Sequence, residues 1–521
     1  MKLFVQSLIL FMLLATAHTT SPTWAQEATD EPTSETVVLV PYTDEAYGIE
    51  SVVPDDWTDV GNGIFARQNS PTDPTVIAQQ SAPLNAESLL NALLPQLGLT
   101  EAPESVGTYQ GAVLEWTLYQ VDVAAGAVNL RVDLALAEAE GTTYVFLLQT
   151  SPEDYEDLHI SVFLLTLNAF VPLVTEDTEA PVPYHVEEVT FDNGDVTLAG
   201  TLTLPSTEGP HPAVVLVSGS GPQDRDESLG AGIGIKPFWL LADALTRAGV
   251  AVLRYDDRGV GESTGDFSSA TLEDFAADAE AAIDYLLSRE DINGDYVGLL
   301  GHSEGGLVAA TLGARNDKLD FIIVLAAPAV PGRDVLLLQN QRLFEVEGAP
   351  QEEINAQLAF VEELFTVIDD PEAIEALTYE RALEQLQALP EEQRAGIDDV
   401  EVYARTIAAQ TAQQYSAGWF ESFLNYDPAP DWAQTTIPVL AFFGGNDVQV
   451  DAEQNAPALE AALEEAGNED YEIVIQPNAN HLFQEAETGG ISEYATLPAE
   501  FTPDLIPTII EWLEAHTTLT D

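Results

Sequence analysis

The chain has 521 residues, 46% of them hydrophobic, enough to bury a large core and to form two domains or more. Its 88 acidic residues against 16 basic ones give a net charge of −72, a surface that repels nucleic acid and anionic membranes and so argues against both as partners. With no cysteine, disulfides, thiolate metal sites and lipidated cysteines are excluded as well.

Met1 to Ala25 carries one early cation, Lys2, then the apolar run Leu8 to Ala15, and ends on small residues at Thr23 and Ala25. Residues 1–25 read as a cleaved secretory signal peptide, because the run is too short to span a bilayer. Export to the periplasm or the medium, with no stable membrane insertion after cleavage, is the expectation. Residues 26–36 are acidic and rich in Thr, Ser and Pro, a flexible lead-in.

Residues 37–171 form a first unit of α+β type. Gly48–Pro54, Ala112–Tyr119, Val128–Leu134 and Thr143–Leu148 read as strands, and Ala86–Leu97 and Asp154–Phe170 as flanking helices. Its one histidine, His159, lies on a helix face and reads as structural. The order Asp44 to Ile49, then Val53-Pro54-Asp55-Asp56-Trp57, with a closing helix after Thr150 to Glu153, resembles PsbP-like domains. That resemblance implies a binding or assembly role rather than catalysis. Residues 172–183 (PLVTEDTEAPVP) are a Pro- and acid-rich linker.

From Tyr184 the pattern becomes strand–helix alternation. Val186–Leu204 reads as a hairpin turning at Asp192-Asn193-Gly194-Asp195. Strands Ala213–Val217, Val250–Tyr255, Tyr296–Leu300, Phe321–Ala326, Pro438–Phe443 and Tyr471–Ile475 are interleaved with helices Trp239–Ala248, Leu272–Ser288, Asp451–Ala466 and Pro503–His516. Such alternation predicts an α/β domain over 184–521, a mostly parallel sheet with helices on both faces. About a hundred residues of helical pattern, roughly 331–432, interrupt it as an inserted cap.

Gly301-His302-Ser303-Glu304-Gly305 follows the apolar run Tyr296 to Leu300 and opens the small-residue helix Leu307 to Ala314. Gly-x-Ser-x-Gly would arise by chance about 0.1 times in a chain of this composition. The strand–turn–helix setting turns the pattern into a nucleophile elbow, which lifts a serine hydroxyl out of the sheet. A hydroxyl needs a base, and the base needs a carboxylate to fix its tautomer. His481, in the loop after the last strand, sits on the same rim as the elbow. Asp447, just after strand Pro438–Phe443, supplies the acid, with Asp427 as the fallback. Ser303, Asp447 and His481 stand in the chain order of an α/β-hydrolase triad. The amides of Glu304 and of Ser220, in the turn after the first long strand, are the candidate oxyanion donors. Gln223-Asp224-Arg225-Asp226 either lines the site or forms a surface loop.

With these residues in place, 186–516 resembles the α/β-hydrolase superfamily, in particular secreted bacterial acyl esterases grouped with serine aminopeptidase-like and dienelactone-hydrolase-like enzymes. The motifs that carry the likeness are Leu198 to Pro205, Gly219 to Arg225, Leu253 to Ser263, Gly301 to Gly306, Gly445-Asn446-Asp447 and Asn480 to Phe483. The resemblance implies hydrolysis of a small-molecule carboxylic ester through an acyl-enzyme, with no metal or organic cofactor. Dienelactone hydrolases use a cysteine nucleophile, which this chain lacks.

Two other readings compete with an esterase. An aminopeptidase on the same triad would need pocket carboxylates for a substrate ammonium, with Glu304, Glu345 and Glu347 as candidates. A secreted binding protein would use the hydrolase domain as a scaffold and dock through the first unit. Trp419, Phe420, Phe423 and Tyr426 either wall an acyl pocket or pack the core. The acids are spread along the whole chain, which favours a general solubility role over a cation-binding module, with adaptation to a salty habitat as a hypothesis. If so, hydrolytic activity should rise from low to molar salt, and a flat or falling salt titration would refute this.

Overall fold

A computed structural model describes residues 37–519, apart from 45–46, 69–72, 83, 95–96, 98, 100–101, 126–127, 140–141, 174–181, 229–234, 316 and 390–399. The expected signal segment 1–25 and lead-in 26–36 lie outside the described residues, as does most of the 172–183 linker. The chain divides into two compact units, Met1–Asp177 with Glu375–Ala412, and Thr178–Ile374 with Gln413–Asp521.

The first unit is built on a seven-stranded antiparallel sheet. Its strands are β3 (Thr58–Gly61), β4 (Ile64–Ala66), β5 (Val76–Ala82), β6 (Gly107–Gln110), β7 (Glu115–Ala125), β8 (Val128–Ala139) and β9 (Thr142–Thr150), in the order β3-β4-β5-β9-β8-β7-β6. A smaller sheet joins β1 (Leu39–Asp44), β2 (Ile49–Pro54) and β10 (Val171–Pro172). Both faces of β9 are buried, which is why it reads as one apolar run rather than an alternation. Tyr144, Phe146 and Leu148 pack with Trp116, Phe163 and Phe170, whereas Val145 and Leu147 face Leu89, Leu90 and Leu93 of helix Ala86–Leu93. The helix expected over 154–170 forms in three pieces, with a π-turn at His159–Phe163. There His159 Nδ1 lies 2.6 Å from the buried Asp133 carboxylate, which also accepts from Tyr155 Oη (2.9 Å). The histidine ties helix to sheet by satisfying a buried charge.

The second unit holds an eight-stranded sheet made of β11 (His185–Asn193), β12 (Val196–Leu204), β13 (His211–Val217), β14 (Ala251–Tyr255), β15 (Ile292–His302), β16 (Phe321–Leu325), β17 (Val439–Gly444) and β18 (Tyr471–Gln476). The order is β11-β12-β14-β13-β15-β16-β17-β18. β11 and β12 form the expected hairpin, with Gly194 at φ +63° in its turn, and β12 pairs antiparallel to β14. All later neighbours are parallel. β13, β14, β16 and β17 are buried at every residue, as unbroken Val/Leu/Ile/Phe runs require once helices cover both faces.

Helix Leu272–Leu287 starts in a capping box, Thr271 and Asp274 each satisfying the other's backbone N–H. Between β16 and β17 the chain is helical: Gly332–Val346, Gln351–Thr366, Pro371–Ala388, Val400–Tyr415, Gly418–Asn425 and Ala429–Trp432. The division into units passes through this insertion at Glu375 and Ala412. No helix of the described residues is long and apolar enough to cross a membrane.

The sheet can carry Phe321 beside β15 only because residue 298 lacks a side chain. A Cβ on Gly298 would sit 2.1 Å from Cε2 of the buried Phe321 ring. Gly298→Ala should therefore cost about 1–3 kcal/mol, read as a lower urea midpoint. An unchanged midpoint would mean that the ring has room to move.

Candidate active site

β15 delivers the elbow. Ser303 follows its last residue, His302, and helix Gly305–Arg315 leaves the sheet two residues on. Ser303 adopts φ +52°, a left-handed conformation that costs a non-glycine residue about 1–3 kcal/mol and persists only where its surroundings enforce it. Here the Ser303 N–H donates to Leu325 O on β16 (2.9 Å), and its carbonyl accepts from the Gly306 N–H (2.9 Å). A Cβ on Gly301 would lie 2.2 Å from Gly305 O, and one on Gly305 2.1 Å from Val217 O, so the motif's two glycines are demanded by contact. Glu227, Ala326 and Phe483, also non-glycine residues at positive φ, surround the same rim.

The acid and the base meet. His481 Nδ1 lies 2.8 Å from Asp447 Oδ2, with both side chains buried. Asp447 Oδ1 accepts from the N–H groups of Gln449 (2.8 Å) and Val450 (3.0 Å), so the carboxylate is oriented from the backbone side. Its turn-capping role and its pairing with histidine thus coexist. A carboxylate at Nδ1 leaves Nε2 as the basic nitrogen of the neutral ring. The His481 loop is shaped by Asn480, whose Oδ1 accepts from the Leu482 and Gln484 N–H groups. Tyr494 Oη, bonded to Gln449 Nε2 (3.0 Å), also receives the His481 backbone N–H. The His481 ring lies 4.8 Å from that of His302, the neighbour of Ser303.

The turn after β13 passes over the elbow. A Cβ on Gly219 would be 3.2 Å from Cβ of Ser303. Three buried carboxyl groups grip this turn. Asp257 accepts from Ser218 Oγ and the Gln223 N–H (2.9 Å each), Glu227 accepts from the Gly219 N–H (2.8 Å), and Glu304 bonds the Ser220 hydroxyl. Burial pushes the Glu304 carboxyl up to about 7, against the Ser220 bond, and its Oε1 has no partner. Burial likewise holds Asp257 well above the usual carboxylate range, with the charge of Glu304 adding to it. Ser218, Gly219, Asp257, Phe267, Phe275 and Glu304 line a small cavity beneath the turn.

Other candidates fall elsewhere. Asp427 is exposed and caps the start of helix Ala429–Trp432, so it is Asp447 that reaches His481. Arg225 binds Asp256 through its backbone and guanidinium, Asp226 pairs with Arg254 (2.6 Å), and Asp224 caps its own loop. Glu345 pairs with Arg342 (3.3 Å), and Glu347 accepts from Ser492 Oγ (3.0 Å). Of the aromatics, Phe423 belongs to the main core and Tyr426 bonds Thr311 and Asp431, while Trp419 and Phe420 pack on each other. Sequence reasoning gave no role to Glu227, Asp257 or Tyr494, although Asp257 lies within the Leu253 to Ser263 motif. The density of polar residues after Gly221 was the one signal pointing toward Glu227.

A mostly parallel sheet wrapped by helices, with a helical insertion between β16 and β17, is the α/β-hydrolase fold. Residues 235–487 match the family model "Serine aminopeptidase, S33". The chain is 30% identical to Esterase EstD of Thermotoga maritima over 313 residues, 60% of this chain and 64% of that protein, so it spans slightly less than two thirds of this relative. A shorter stretch of 134 residues is 32% identical to putative hydrolase YtaP of Bacillus subtilis, covering 23% of this chain and 45% of YtaP. Among solved structures, the esterase Pf2001 of Pyrococcus furiosus aligns over 66% of this chain and 95% of its own, with 15% identity and a TM-score of 0.39. Residues 235–487 are thus similar to serine aminopeptidase-type hydrolases, and 313 residues of the chain to an esterase.

The raised Glu304 carboxyl sets a sign for stability against pH. A folded value of about 7 against 4.5 unfolded gives a contribution present below pH 4.5 and lost as pH rises through about 7. Glu304→Gln should remove that loss, matching the parent in acid and exceeding it by about 3 kcal/mol in mild base, at about 1.36 kcal/mol per pKa unit. Urea midpoints at the two pH values check this, and parallel shifts at both would refute it.

Proposed function

We propose that this protein is an exported serine hydrolase that cleaves carboxylic esters of small to medium acyl groups. The observation that carries the reading is the buried His481–Asp447 pair (2.8 Å) on the rim where Ser303 is held at φ +52°. Export rests on the signal-like pattern of residues 1–25.

In this reading Ser303 Oγ attacks the ester carbonyl while His481 Nε2 takes its proton. Asp447 holds the ring and stabilises the imidazolium. The tetrahedral oxyanion is received by the amides of Glu304 and Ser220, each donor worth about 10²–10³ in rate. Ser220 is favoured within its turn because the Gly219 N–H is already taken by Glu227. Collapse of the intermediate breaks the bond to the alkoxy oxygen, which leaves as alcohol with the proton from His481. Water, activated by the same histidine, then attacks the acyl-enzyme, releasing the acid and restoring Ser303.

A second reading, an aminopeptidase on the same residues, is favoured by one observation. The Glu304 carboxyl is buried beside the oxyanion turn with Oε1 unpartnered, a site where a substrate ammonium would gain a charge-assisted bond. Glu345 and Glu347 lend it less support, since both already have partners.

Turnover of p-nitrophenyl butyrate by the mature protein should fall at least about 10³-fold in Ser303→Ala, and about 10⁴-fold in Asp447→Asn, where the ring takes the wrong tautomer. Aminoacyl p-nitroanilides should stay uncleaved. Anilide turnover that depends on Ser303 would establish the peptidase instead. Silence on both substrate types would leave a binding role for the first unit.

A further inference from the structure

One carboxylate oxygen serves two segments of the rim at once. Glu227 Oε1 accepts from the Gly219 N–H (2.8 Å) in the oxyanion turn and from His302 Nδ1 (2.6 Å) at the end of β15. The opposite ring nitrogen, His302 Nε2, lies 3.0 Å from the carbonyl oxygen of His481. Glu227 is 2% exposed and His302 5%, so neither bond competes with bulk water.

These contacts form a chain: Gly219 to Glu227 to His302 to His481. It links the turn that carries one oxyanion donor, the residue next to the nucleophile and the backbone of the base. Packing alone gives little reason for such a group here. Glu227 takes a left-handed backbone at φ +56°, and its second oxygen, Oε2, is buried without a partner. A strained, half-satisfied buried carboxylate is costly, and an apolar residue would serve packing better.

We propose that Glu227 and His302 form a positioning pair, outside the Ser303–His481–Asp447 set, that holds the oxyanion turn, the elbow and the base loop in register. The inference rests on the serine-hydrolase reading above. A carboxylate and a backbone carbonyl only accept, so both bonds of His302 stand together only when both ring nitrogens carry hydrogen. The charged groups facing His302 are Glu227 from its own loop and, from the other side, His481 with Asp447 behind it. Burial by itself lowers the pKa of His302, but the charge and hydrogen bond of Glu227 outweigh it and hold the ring above its ordinary value. Once the imidazolium deprotonates, one link of the chain must release.

The test uses the full mature protein and three variants. Glu227→Gln removes the charge; His302→Asn keeps a donor near the Nδ1 position; His302→Gln keeps one near Nε2. Each is assayed for kcat and KM on p-nitrophenyl butyrate and for the rate at which a fluorophosphonate labels Ser303, from neutral to alkaline pH. Displacement of a catalytic group by about 1 Å costs about 10²-fold, so Glu227→Gln should lower kcat and labelling by about that factor while KM stays within about twofold. Its alkaline limb should move to lower pH, a change that a merely structural residue would not cause. Each histidine variant, keeping one of the two links, should lose less than Glu227→Gln and show no shifted limb of its own.

Parent-like kcat and an unmoved alkaline limb in Glu227→Gln would overturn the pair. If that variant does not fold, parent-like labelling in both histidine variants would do the same. A folded parent that the fluorophosphonate does not label would instead overturn the serine-hydrolase reading, and the pair's role with it.

Discussion

Ser303 can hold a left-handed backbone only because helix Gly305–Arg315 leaves the sheet at once, with Gly305 seated against the carbonyl of Val217 and Gly301 against that of Gly305. That three-way contact of strand, helix and neighbouring strand end is the constraint from which the rest of the rim follows. It brings the end of β13 over the serine and so places the turn from Ser218 to Gly221. It also presents His302 sideways, to Glu227 and to the His481 carbonyl. Parallel strands put their carboxyl ends on one rim, so loops distant in sequence converge there without any further device.

Charge is used unevenly around this rim. The chain has 88 acids and only 16 bases, yet several arginines are committed to half-buried carboxylate clusters in the strand–helix connections. Arg225 bridges Asp256, Glu188 and Glu262; Arg254 pairs with Asp226; Arg258 pairs with Asp278 and Asp274. Asp256 and Arg258, which follow β14, each have a partner of opposite charge, and so form a paired band of charge near the turn after β13. Asp257 and Glu304 lie within reach of this band but without a cation of their own, and burial drives both toward the neutral form.

His481 is secured separately. Asp447 is oriented by its own turn, and the His481 loop by Asn480. Tyr494 on the His481 amide and His302 on its carbonyl then fix the loop from two directions. The alignment of His481 with Asp447 thus depends on backbone contacts to residues outside the pair.

Much of the hydrolase unit was legible because local rules sufficed. Apolar runs such as Ala213–Val217 and Phe321–Ala326 specify buried parallel strands, and Gly301 to Gly305 a turn that only glycine can close. Chain order was enough to single out Ser303, Asp447 and His481 as residues for one rim. The first unit was less readable: short strands such as β3, β4 and β6 carry no period long enough to count, and they form by pairing with the strands that follow them, β4, β5 and β7. The partners of individual polar groups were not readable at all. Which of Glu227, Asp224 or Asp226 would meet His302, which acid would lie near Glu304 without an arginine, and that Tyr494 would reach His481, are consequences of contacts across dozens of residues. The amino-acid order determined the strands, the elbow and the residue types offered to the rim; only the tertiary structure decided their pairings, because hydrogen bonds and burial depend on distances that sequence separation does not encode.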